Sequence, residues 1–541
     1  MSNFYSNHAQ NSIINNAVPQ SQPIVGRETD MELNDAGGYA FTISKWKVLE
    51  RFLILGSESG NCHTSATTLT NRNTTSLDAC LIEDYKRTVD MIVDISRSGR
   101  PITNDACIYA LAIAASNPPS AVYALDHLQQ VCRIGTHLFT FLDIVQNFRG
   151  WGRTLRRSVG NWYVKRDKQS LMYQVTKYQS RNNWSNKDAL RLSHPSPMSP
   201  EQNDIFRWVT HGTDPEKGVP MSKLSKDYLG HIWAFETIKA TNDENVIISL
   251  IEDYDITLEM IPTALQTEKV LEKVWYNLGM TAMIRNLGRY STRQMFNKYP
   301  ALLQYTIDTL TDQEKLQSAR IHPISVLIAY HTYKSGHGEK GSLSWIPNRK
   351  ILDALDRAFY MTFSNVEPTN KRLMLSLDVS GSMGAPIKRS STLTSFDAVA
   401  AMSLVTIAAE NTKPIVNAFC DHLTNLDKFG SHMTLEEAKN YMDGRNFGNT
   451  DCSLPIMHAL EHKIPVDAFI IYTDNETWYG NIHPSEALKQ YRKTMNINAK
   501  LIVVATQASR GSIADPADPY MLDVVGFDPS TPQIISEFIK L

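Results

Sequence analysis

Residues 375–386 read LSLDVSGSMGAP. An apolar run typical of a buried β-strand stops at Asp378, and two serines follow at alternate positions, Ser380 and Ser382. Further short apolar runs follow, PIVNAFC, AFIIYTD and KLIVVAT, and they alternate with helical stretches such as SFDAVAAMSLVTIAAE and PSEALKQYRKTM. This alternation predicts right-handed βαβ crossovers and a doubly wound, mostly parallel sheet with helices on both faces. We therefore expect an α/β domain over residues 368–541.

The preceding stretch, residues 36–367, has a different pattern. Apolar residues recur at helical spacing within 122–131, 270–278 and 351–359, and strand-like alternation is scarce. Helix pairs stacked on their neighbours would bury a shared core, so the pattern favours an α-solenoid. A chain of 541 residues is also too long for one hydrophobic core, which agrees with two domains.

The N-terminal residues 1–35 are rich in Asn, Ser and Gln, and we expect a disordered polar tail there. They lack the basic start and apolar centre of a secretory signal, and no apolar run approaches the roughly 18 residues that cross a bilayer. The six cysteines are scattered without a CxxC pair: Cys62, Cys80, Cys107, Cys132, Cys420 and Cys452. Such spacing is typical of free thiols in a reducing compartment, so we expect a cytoplasmic protein with no membrane partner.

The loop after Asp378 has three alternative interpretations. A hydrolase nucleophile elbow needs G-x-S-x-G, but Ser380 stands where the first glycine belongs, and no acid and histidine follow in the expected order. A phosphate loop needs GxxxxGK[ST], which does not occur in the chain. A metal site remains, with a metal-free, hydrogen-bonded turn as its structural alternative.

Downstream residues favour the metal site. Thr450 in GNTDCSLP and Asp474 at the end of AFIIYTD lie in two further loops that follow strands. Because the carboxyl ends of parallel strands meet at one edge of a sheet, these oxygens should converge on the first loop. The predicted ligands are Asp378, Ser380, Ser382, Thr450 and Asp474. Hard oxygen ligands suit Mg²⁺, with Mn²⁺ as the alternative, and no nucleophile–base pair accompanies them, so we expect binding and not catalysis.

Basic residues concentrate between Arg149 and Arg191, where eleven Lys and Arg stand against two acids. Arg153, Arg156 and Arg157 fall on one face of a predicted helix. The nearby aromatic residues are Trp151, Trp162, Tyr163, Tyr178 and Trp184. Cations offer phosphate contacts and aromatic rings offer stacking for unpaired bases. The alternative is a solvated charged face over core aromatics.

A second basic stripe lies in KYQSRNNWSNKDALRLSHP, residues 177–195. Lys177 and Arg181 are four apart, and we predict that they share a helix face. Ser185 and Asp188 have the spacing of a capping box, so a new helix should begin near Asn186. On that helix Lys187, Arg191 and His194 would share one face, before Pro195 ends it.

At this point the residues resemble the Ro (SS-A) autoantigen family. VCRIGTHLFTF, WGRTLRRSVGNWY, VTKYQSRNNWSNKDALRLSH and YKSGHGEKG are similar to its TROVE module. DVSGSM, GNTDCSLP, YTDNETW and MLDVVGFD are similar to its C-terminal von Willebrand factor A-like (vWA) domain, which is Rossmann-like. The resemblance runs from about Gly37 to the end. It implies a ring of HEAT-like helical repeats closed by the vWA domain, whose metal-ion-dependent adhesion site matches the five predicted ligands.

The resemblance also implies a function. Ro proteins bind small non-coding Y RNAs on the outer surface of the ring, at positions matched here by Lys177, Arg181, Lys187 and His194. They take single-stranded 3′ ends of misfolded RNAs into the central hole, in RNA quality control, and bacterial relatives pair with an exoribonuclease through the RNA. A monomer is expected, because a ring within one chain needs no partner subunit. Asn183 departs from the family, since animal members have glycine there.

We therefore predict an RNA-binding protein without enzymatic activity. The alternative is a protein-interaction module of the adhesion type, in which the metal site binds the partner and the basic stripes are solvated surface.

Overall fold

The structure is a computed structural model, and it describes residues 17–56, 66–338, 342–363, 366–384, 386, 393–442, 448–506, 509 and 511–541. Residues 1–16 of the predicted tail and Cys62 lie outside the described residues. No helix in these ranges is both long and apolar enough to span a bilayer.

The first half of the chain is a stack of helices. It contains α1 (Lys45–Leu55), α2 (Ala66–Ser98), α3 (Asp105–Ser116), α4 (Ala121–Asp126), α5 (Leu128–Val131), α6 (Gly135–Val145), α7 (Arg153–Val164), α8 (Lys168–Lys177), α9 (Asn186–Ser193), α10 (Pro200–His211), α11 (Lys226–Ala240), α12 (Glu244–Asp253), α13 (Glu268–Trp275), α14 (Met280–Thr292), α15 (Met295–Lys298), α16 (Pro300–Leu310), α17 (Gln313–Ser318), α18 (Pro323–Ser335) and α19 (Arg349–Met361). The helical periodicity buries the predicted face of α13 and α19 fully. It fails at Val122, which is 53% exposed, because the helix there breaks at His127.

The helical stack closes into a ring. Arg320 and His322, before α18, contact the last turn of α2 and the segment that follows it. The Arg320 guanidinium donates to the carbonyl of Arg97 at 3.0 Å, and the His322 ring contacts the carbonyl of Arg100 at 3.0 Å. The second pair of residues is 222 positions apart in sequence, so the two ends of the solenoid meet.

The second half is a doubly wound α/β domain. Two short antiparallel pairs precede this domain in the chain, β1 (Met31–Leu33) with β2 (Tyr39–Thr42) and β3 (Ser180–Arg181) with β4 (Trp184–Ser185).

The strands of the α/β domain are β5 (Leu373–Asp378), β6 (Ile415–Phe419), β7 (Leu423–Asn425), β8 (Ala468–Thr473), β9 (Lys500–Ala505), β10 (Gly511–Ser512) and β11 (Met521–Val525). Its helices are α20 (Ser395–Ala409), α21 (Leu435–Met442), α22 (Leu454–Glu461), α23 (Pro484–Met495) and α24 (Thr531–Lys540). The sheet order is β11-β9-β8-β5-β6-β7, parallel except for β7, as the strand–helix alternation predicts.

The strands of this sheet are buried on both faces. Alternate residues of β5 and β8 point to opposite sides: Met374 and Phe469 pack in one core with α22 and α23, whereas Leu375 and Ile470 lie in the other. That second core is continuous with the core of the helical ring, so the ring and one face of the sheet fold against each other.

The prediction of a disordered tail through residue 35 is wrong for residues 17–35. Strand β1 pairs with β2, and β2 pairs with β10 near the C-terminus. Gln20 is fully buried and Ile24 and Met31 are nearly so. We call residues 17–42 the N-terminal strap. The polar composition of the strap led to the prediction of disorder. Two of its polar side chains instead bond to groups of the α/β domain, since Gln20 donates to Asp451 and Asn34 donates to the carbonyl of Thr477.

Candidate metal centre and basic helical surface

Asp378 lies where the sheet changes its winding direction. The chain runs from β5 to β6 on one side and later places β8 on the other side of β5. The carboxyl end of β5 is therefore the topological switch point, where open α/β sheets bind ligands. Asp378 is the last residue of β5 and is fully buried.

The carboxylate of Asp378 is held by one hydroxyl and one main-chain donor. Its Oδ2 accepts from Thr473 Oγ1 at 2.6 Å, and its Oδ1 accepts from the Ser380 N–H at 2.9 Å. Burial, together with the charge of Asp474, raises the pKa of Asp378 to about 7. Two neighbouring buried carboxylates disfavour their charged forms, and a bound cation would offset this cost.

Ser380, Ser382 and Asp474 lie in the loops that follow β5 and β8, as predicted, whereas the prediction for Thr450 is wrong, because the element described before its loop is helix α21 and not a strand. The hydroxyls of Ser380 and Ser382 are 3.2 Å apart in the turn after β5. Asp474 follows β8 directly, and β8 is a hydrogen-bonded neighbour of β5. Thr450 lies before α22, and its carbonyl accepts the main-chain N–H groups of residues 478–479, both at 3.1 Å. The structure thus brings Asp378, Ser380, Ser382 and Asp474 together and ties the Thr450 loop to the loop after Asp474.

We call these five residues the oxygen site, and their chemistry fits a hard divalent cation. The side chains offer two carboxylates and three hydroxyls, and all five residues are buried. Mg²⁺ and Mn²⁺ prefer oxygen ligands, whereas zinc and copper favour nitrogen and sulfur. The residues present therefore fit the cation predicted from the sequence.

Two supporting side chains escaped the sequence reasoning. Thr473 donates to Asp378 and accepts the Asn475 N–H at 3.2 Å, so it joins the first loop to the third. Gln20 of the N-terminal strap donates to Asp451 Oδ1 at 2.7 Å and accepts from the Thr477 hydroxyl. Thr473 directly precedes Asp474 and could have been found as a polar strand end. No signal in the sequence marks Gln20.

The first basic stripe lies where the sequence places it. Arg153, Arg156 and Arg157 occupy the first turns of α7, and all three are exposed. Helix α7 packs beside α9, where a Cβ on Gly160 would lie 3.3 Å from Pro195 Cβ. The two basic stripes therefore lie on helices that pack against each other.

The predicted shared helix face of Lys177 and Arg181 is wrong. Helix α8 ends at Lys177, and Arg181 lies in the β3–β4 hairpin. Asn182 and Asn183 form the hairpin turn with φ values of 51° and 62°. Paired positive φ values define a type I′ turn, for which Asn and Gly are the favoured residues. Asn183 therefore serves at the position where a glycine was expected.

Helix α9 begins as predicted. Ser185 and Asp188 form the complete capping box, and the helix starts at Asn186. Lys187, Arg191 and His194 are exposed, and His194 ends the helix with φ 47°. The helix thus stops one residue before Pro195, with a left-handed cap.

The aromatic residues divide between core and surface. Trp162 and Tyr163 are fully buried, with the Trp162 N–H donating to the carbonyl of Cys132 and the Tyr163 hydroxyl donating to Asn186. Trp184 is 9% exposed. These three rings are structural and cannot stack on a base, which corrects the interleaved stacking expected from the sequence. Trp151 and Tyr178 are partly exposed.

We call the eight predicted residues Arg153, Arg156, Arg157, Lys177, Arg181, Lys187, Arg191 and His194 the basic surface. Seven are exposed, and Lys177 is half-buried, with its ammonium 5.0 Å from the Tyr173 ring centre and 2.7 Å from its hydroxyl. Within the described part of the chain, none of the eight forms an ion pair with a carboxylate. Most surface lysines of α11–α16 do so, for example Lys273 with Glu252 and Lys298 with Glu268. The basic surface therefore carries uncompensated positive charge.

Known proteins share this architecture over almost the whole chain. The TROVE domain model matches residues 32–254, and the Ro60 vWA domain model matches residues 372–539. A Caenorhabditis elegans protein named RNA-binding protein RO60 is 35% identical over 94% of this chain and 89% of its own length. A Deinococcus radiodurans protein of the same name is 35% identical over 96% of this chain and 98% of its own.

The fold agrees with an experimental structure. The crystal structure of the Deinococcus radiodurans RO (RSR) protein superposes with a TM-score of 0.68 at 34% identity, over 92% of this chain and 99% of that one. Three findings agree on the family: two domain models match in order, two relatives match over almost their whole length, and the fold agrees with that of a solved member. The chain belongs to the Ro60 family.

Proposed function

We propose that this protein is an RNA-binding protein of the Ro type and that the basic surface is its site for structured RNA. The observation that carries the proposal is the uncompensated charge of the basic surface, whose eight side chains lie on α7, the end of α8, the β3–β4 hairpin, α9 and its C-cap. Phosphate contacts of this kind dominate nucleic-acid affinity and make it salt-dependent. Both full-length relatives bear names that describe RNA-binding proteins.

Membership of the Ro60 family and the closure of the helical stack into a ring support two classes of RNA. A small Y-like RNA would lie on the basic outer surface, and a single-stranded 3′ end of a misfolded RNA would enter the central hole, in cytoplasmic RNA quality control. The protein would act as a monomeric scaffold without catalysis, and an exoribonuclease would join it through the RNA. Both RNA sites would belong to the helical domain, residues 36–367, and the oxygen site to the α/β domain, residues 368–541.

The experiment is an RNA titration at several salt concentrations, with a stem-loop that carries a single-stranded tail. Lys177→Ala/Arg181→Ala/His194→Ala should weaken binding at least tenfold, or about 1.4 kcal/mol. The slope of log K against log salt should flatten by roughly two, because each lost phosphate contact removes about 0.7–0.9.

The matched control is Lys269→Ala/Lys298→Ala, which removes two charges on α13 and α15 that already pair with carboxylates. Its affinity and salt slope should equal those of the unmodified protein. Equal binding by the triple variant would place the RNA site elsewhere, and no binding by the unmodified protein would refute the proposed function.

The oxygen site supports a second function, an adhesion-type interaction with a protein partner. The supporting observation is the buried carboxylate pair Asp378 and Asp474 at the switch point of the sheet. Mg²⁺, or Mn²⁺, held by the oxygen site would supply a coordination position for an acidic group of the partner. A protein partner lost on treatment with a chelator, at a salt concentration that leaves RNA bound, would support this function.

A further inference from the structure

A second group of metal-ligating atoms lies outside the oxygen site. Cys420, Asp421 and His422 form the three-residue turn between β6 and β7, closed by the Cys420 N–H donating to the carbonyl of His422 at 3.0 Å. In this turn the polar atoms of three consecutive side chains lie close together. Cys420 Sγ is 3.3 Å from His422 Nδ1 and 3.4 Å from Asp421 Oδ1, and His422 Nδ1 is 2.7 Å from Asp421 Oδ1.

These separations are close to those around a tetrahedral zinc ion. Metal–ligand lengths of about 2.3 Å for sulfur and about 2.0–2.2 Å for nitrogen and oxygen imply ligand–ligand distances of roughly 3.3–3.6 Å. Two of the three measured distances agree within about 0.3 Å, and only the Nδ1–Oδ1 contact must open. The set of one sulfur, one imidazole and one carboxylate is typical of zinc-class cations and not of magnesium.

The same three residues do not form a nucleophile triad. In such a triad the histidine uses one ring nitrogen for the nucleophile and the other for the acid. Here the thiol and the carboxylate both contact Nδ1, and Sγ lies 4.0 Å from Nε2. A metal ion is coordinated by one nitrogen of the ring, so the geometry favours a metal site over a nucleophile triad.

The neighbouring loop holds the turn in place and leaves one side open. The Asp451 N–H donates to the carbonyl of Cys420 at 2.9 Å, and a Cβ on Gly448 would lie 2.5 Å from both Asp421 carboxylate oxygens. Only glycine lets the chain pass this close. The Asp421 and His422 side chains remain 34% and 22% exposed, so solvent can reach these two ligands, whereas Cys420 is buried beneath them.

We propose that Cys420, Asp421 and His422 form a second metal site, which takes a borderline divalent cation of the zinc class. Sγ, Oδ1 and Nδ1 are the ligands, and the fourth position is open to water or to a ligand donor. On binding, the Cys420 thiol releases its proton to solvent and coordinates as the thiolate. This site is chemically distinct from the oxygen site and does not depend on RNA binding.

Titration with Co²⁺ tests the proposal, because thiolate coordination to Co²⁺ gives a charge-transfer absorption that oxygen and nitrogen ligands do not give. The reduced, chelator-treated full chain is titrated with excess Mg²⁺ present to occupy the oxygen site. We expect about one equivalent of Co²⁺ with this absorption, displaced by Zn²⁺ and unaffected by more Mg²⁺. Cys420→Ser should abolish the absorption, and His422→Gln should weaken binding at least tenfold.

Two controls separate this site from other ligands. Cys80→Ser removes a buried thiol in α2 and should change nothing. His458→Gln disrupts the His458–His462 pair, whose ring centres are 4.3 Å apart on α22, and should leave the thiolate absorption intact. No thiolate absorption in the unmodified protein, or an absorption that survives Cys420→Ser, would overturn the proposal. If Cys420→Ser does not fold, unchanged affinity in His422→Gln would overturn it equally.

Discussion

At the scale of single residues, the most informative side chain is Asp378. A carboxyl group with a pKa of about 7 is charged for only part of the time at neutral pH, and its shift comes from burial and from Asp474. A buried carboxyl group with such a raised pKa is characteristic of binding and catalytic sites. A divalent cation between the two carboxylates restores the charged form, so metal binding and stability should be linked.

Asp378→Asn should abolish this linkage. The unmodified protein should gain stability with Mg²⁺, by about 2.7 kcal/mol at a concentration one hundred times Kd. The variant should lose most of that gain, because the neutral amide cannot form the pair of carboxylates with Asp474. The measurement is thermal unfolding with and without saturating Mg²⁺. Asp143→Asn, a half-buried acid on α6, is the control and should respond as the unmodified protein does.

At the scale of elements, the N-terminal strap fixes the loop that carries Asp474. The Gln20 amide donates to Asp451 at 2.7 Å and to the carbonyl of Ile482 at 2.8 Å. A Cβ on Gly480 would collide with both Gln20 and Asp451, so the loop must carry glycine here. The strap therefore belongs to the support of the oxygen site, although it is the farthest part of the described chain from it in sequence.

Gln20→Ala should loosen this loop. The change removes the hydrogen bonds of Gln20 with Asp451, Ile482 and Thr477, and each such bond contributes about 0.5–1.5 kcal/mol net. Hydrogen–deuterium exchange should rise in residues 475–482 and stay unchanged in α7 and α9. Gln22→Ala removes an exposed side chain of the same strap and should have no effect. Unchanged exchange in Gln20→Ala would contradict the role of the strap.

The elements that sequence predicts well are those with a strong period. Strands β5, β6, β8 and β9 and helices α20 and α23 match the predicted runs almost residue by residue. The capping box at Ser185 fixes the start of α9 because the signal is local. The prediction for Arg181 was wrong because it assumed a continuous helix from Lys177. Asn182 and Asn183, with positive φ values, turn the chain into a hairpin, and residue spacing alone does not reveal such a turn.

The candidate sites show the same division. Four of the five ligands of the oxygen site follow from the ends of β5 and β8, because the carboxyl ends of parallel strands meet at one edge of a sheet, whereas Thr450 comes after helix α21. The contributions of Thr473 and Gln20 depend on distant pairing, with Gln20 and Asp451 separated by 431 residues. Neither composition nor periodicity encodes such a pairing.

At the scale of the whole molecule, ion pairs join the ring to the α/β domain. The Arg51 guanidinium is fully buried, with Nη2 2.5 Å from Asp523. Arg100 pairs with Asp528 at 2.9 Å and with Glu50 at 3.0 Å. Burial raises the pKa of Asp528 even though Arg100 opposes the shift. Asp528 is fully buried, so it depends on Arg100 for its counter-charge.

Arg100→Ala should destabilise the closed ring by about 3–5 kcal/mol near neutral pH, because it strands a buried carboxylate. Asp528 then has a still higher pKa in the folded state than in the unfolded state. A raised carboxyl pKa costs stability as pH rises, so the defect should shrink when pH is lowered from 7 toward 5. Denaturant unfolding at several pH values measures this.

The exposed pair of Arg372 and Asp467 provides the control. Arg372→Ala should cost at most about 1 kcal/mol, because solvent screens the pair. A defect in Arg100→Ala that stays constant with pH would contradict the stranded carboxylate.

The pairing of β2 with β10 also has a consequence for how the protein is made. Arg51, in the helix α1 that comes after the strap, and its partner Gly511 are 460 residues apart. At roughly 5–20 residues per second, a ribosome takes roughly half a minute to a minute and a half to cover that distance. Throughout this interval the apolar residues Ala40 and Phe41, nearly fully buried in the finished fold, have emerged without their partner strand. The nascent chain therefore exposes the apolar residues of β2 until β10 has been made, and a chain that stops before Gly511 lacks the strand on which β2 docks.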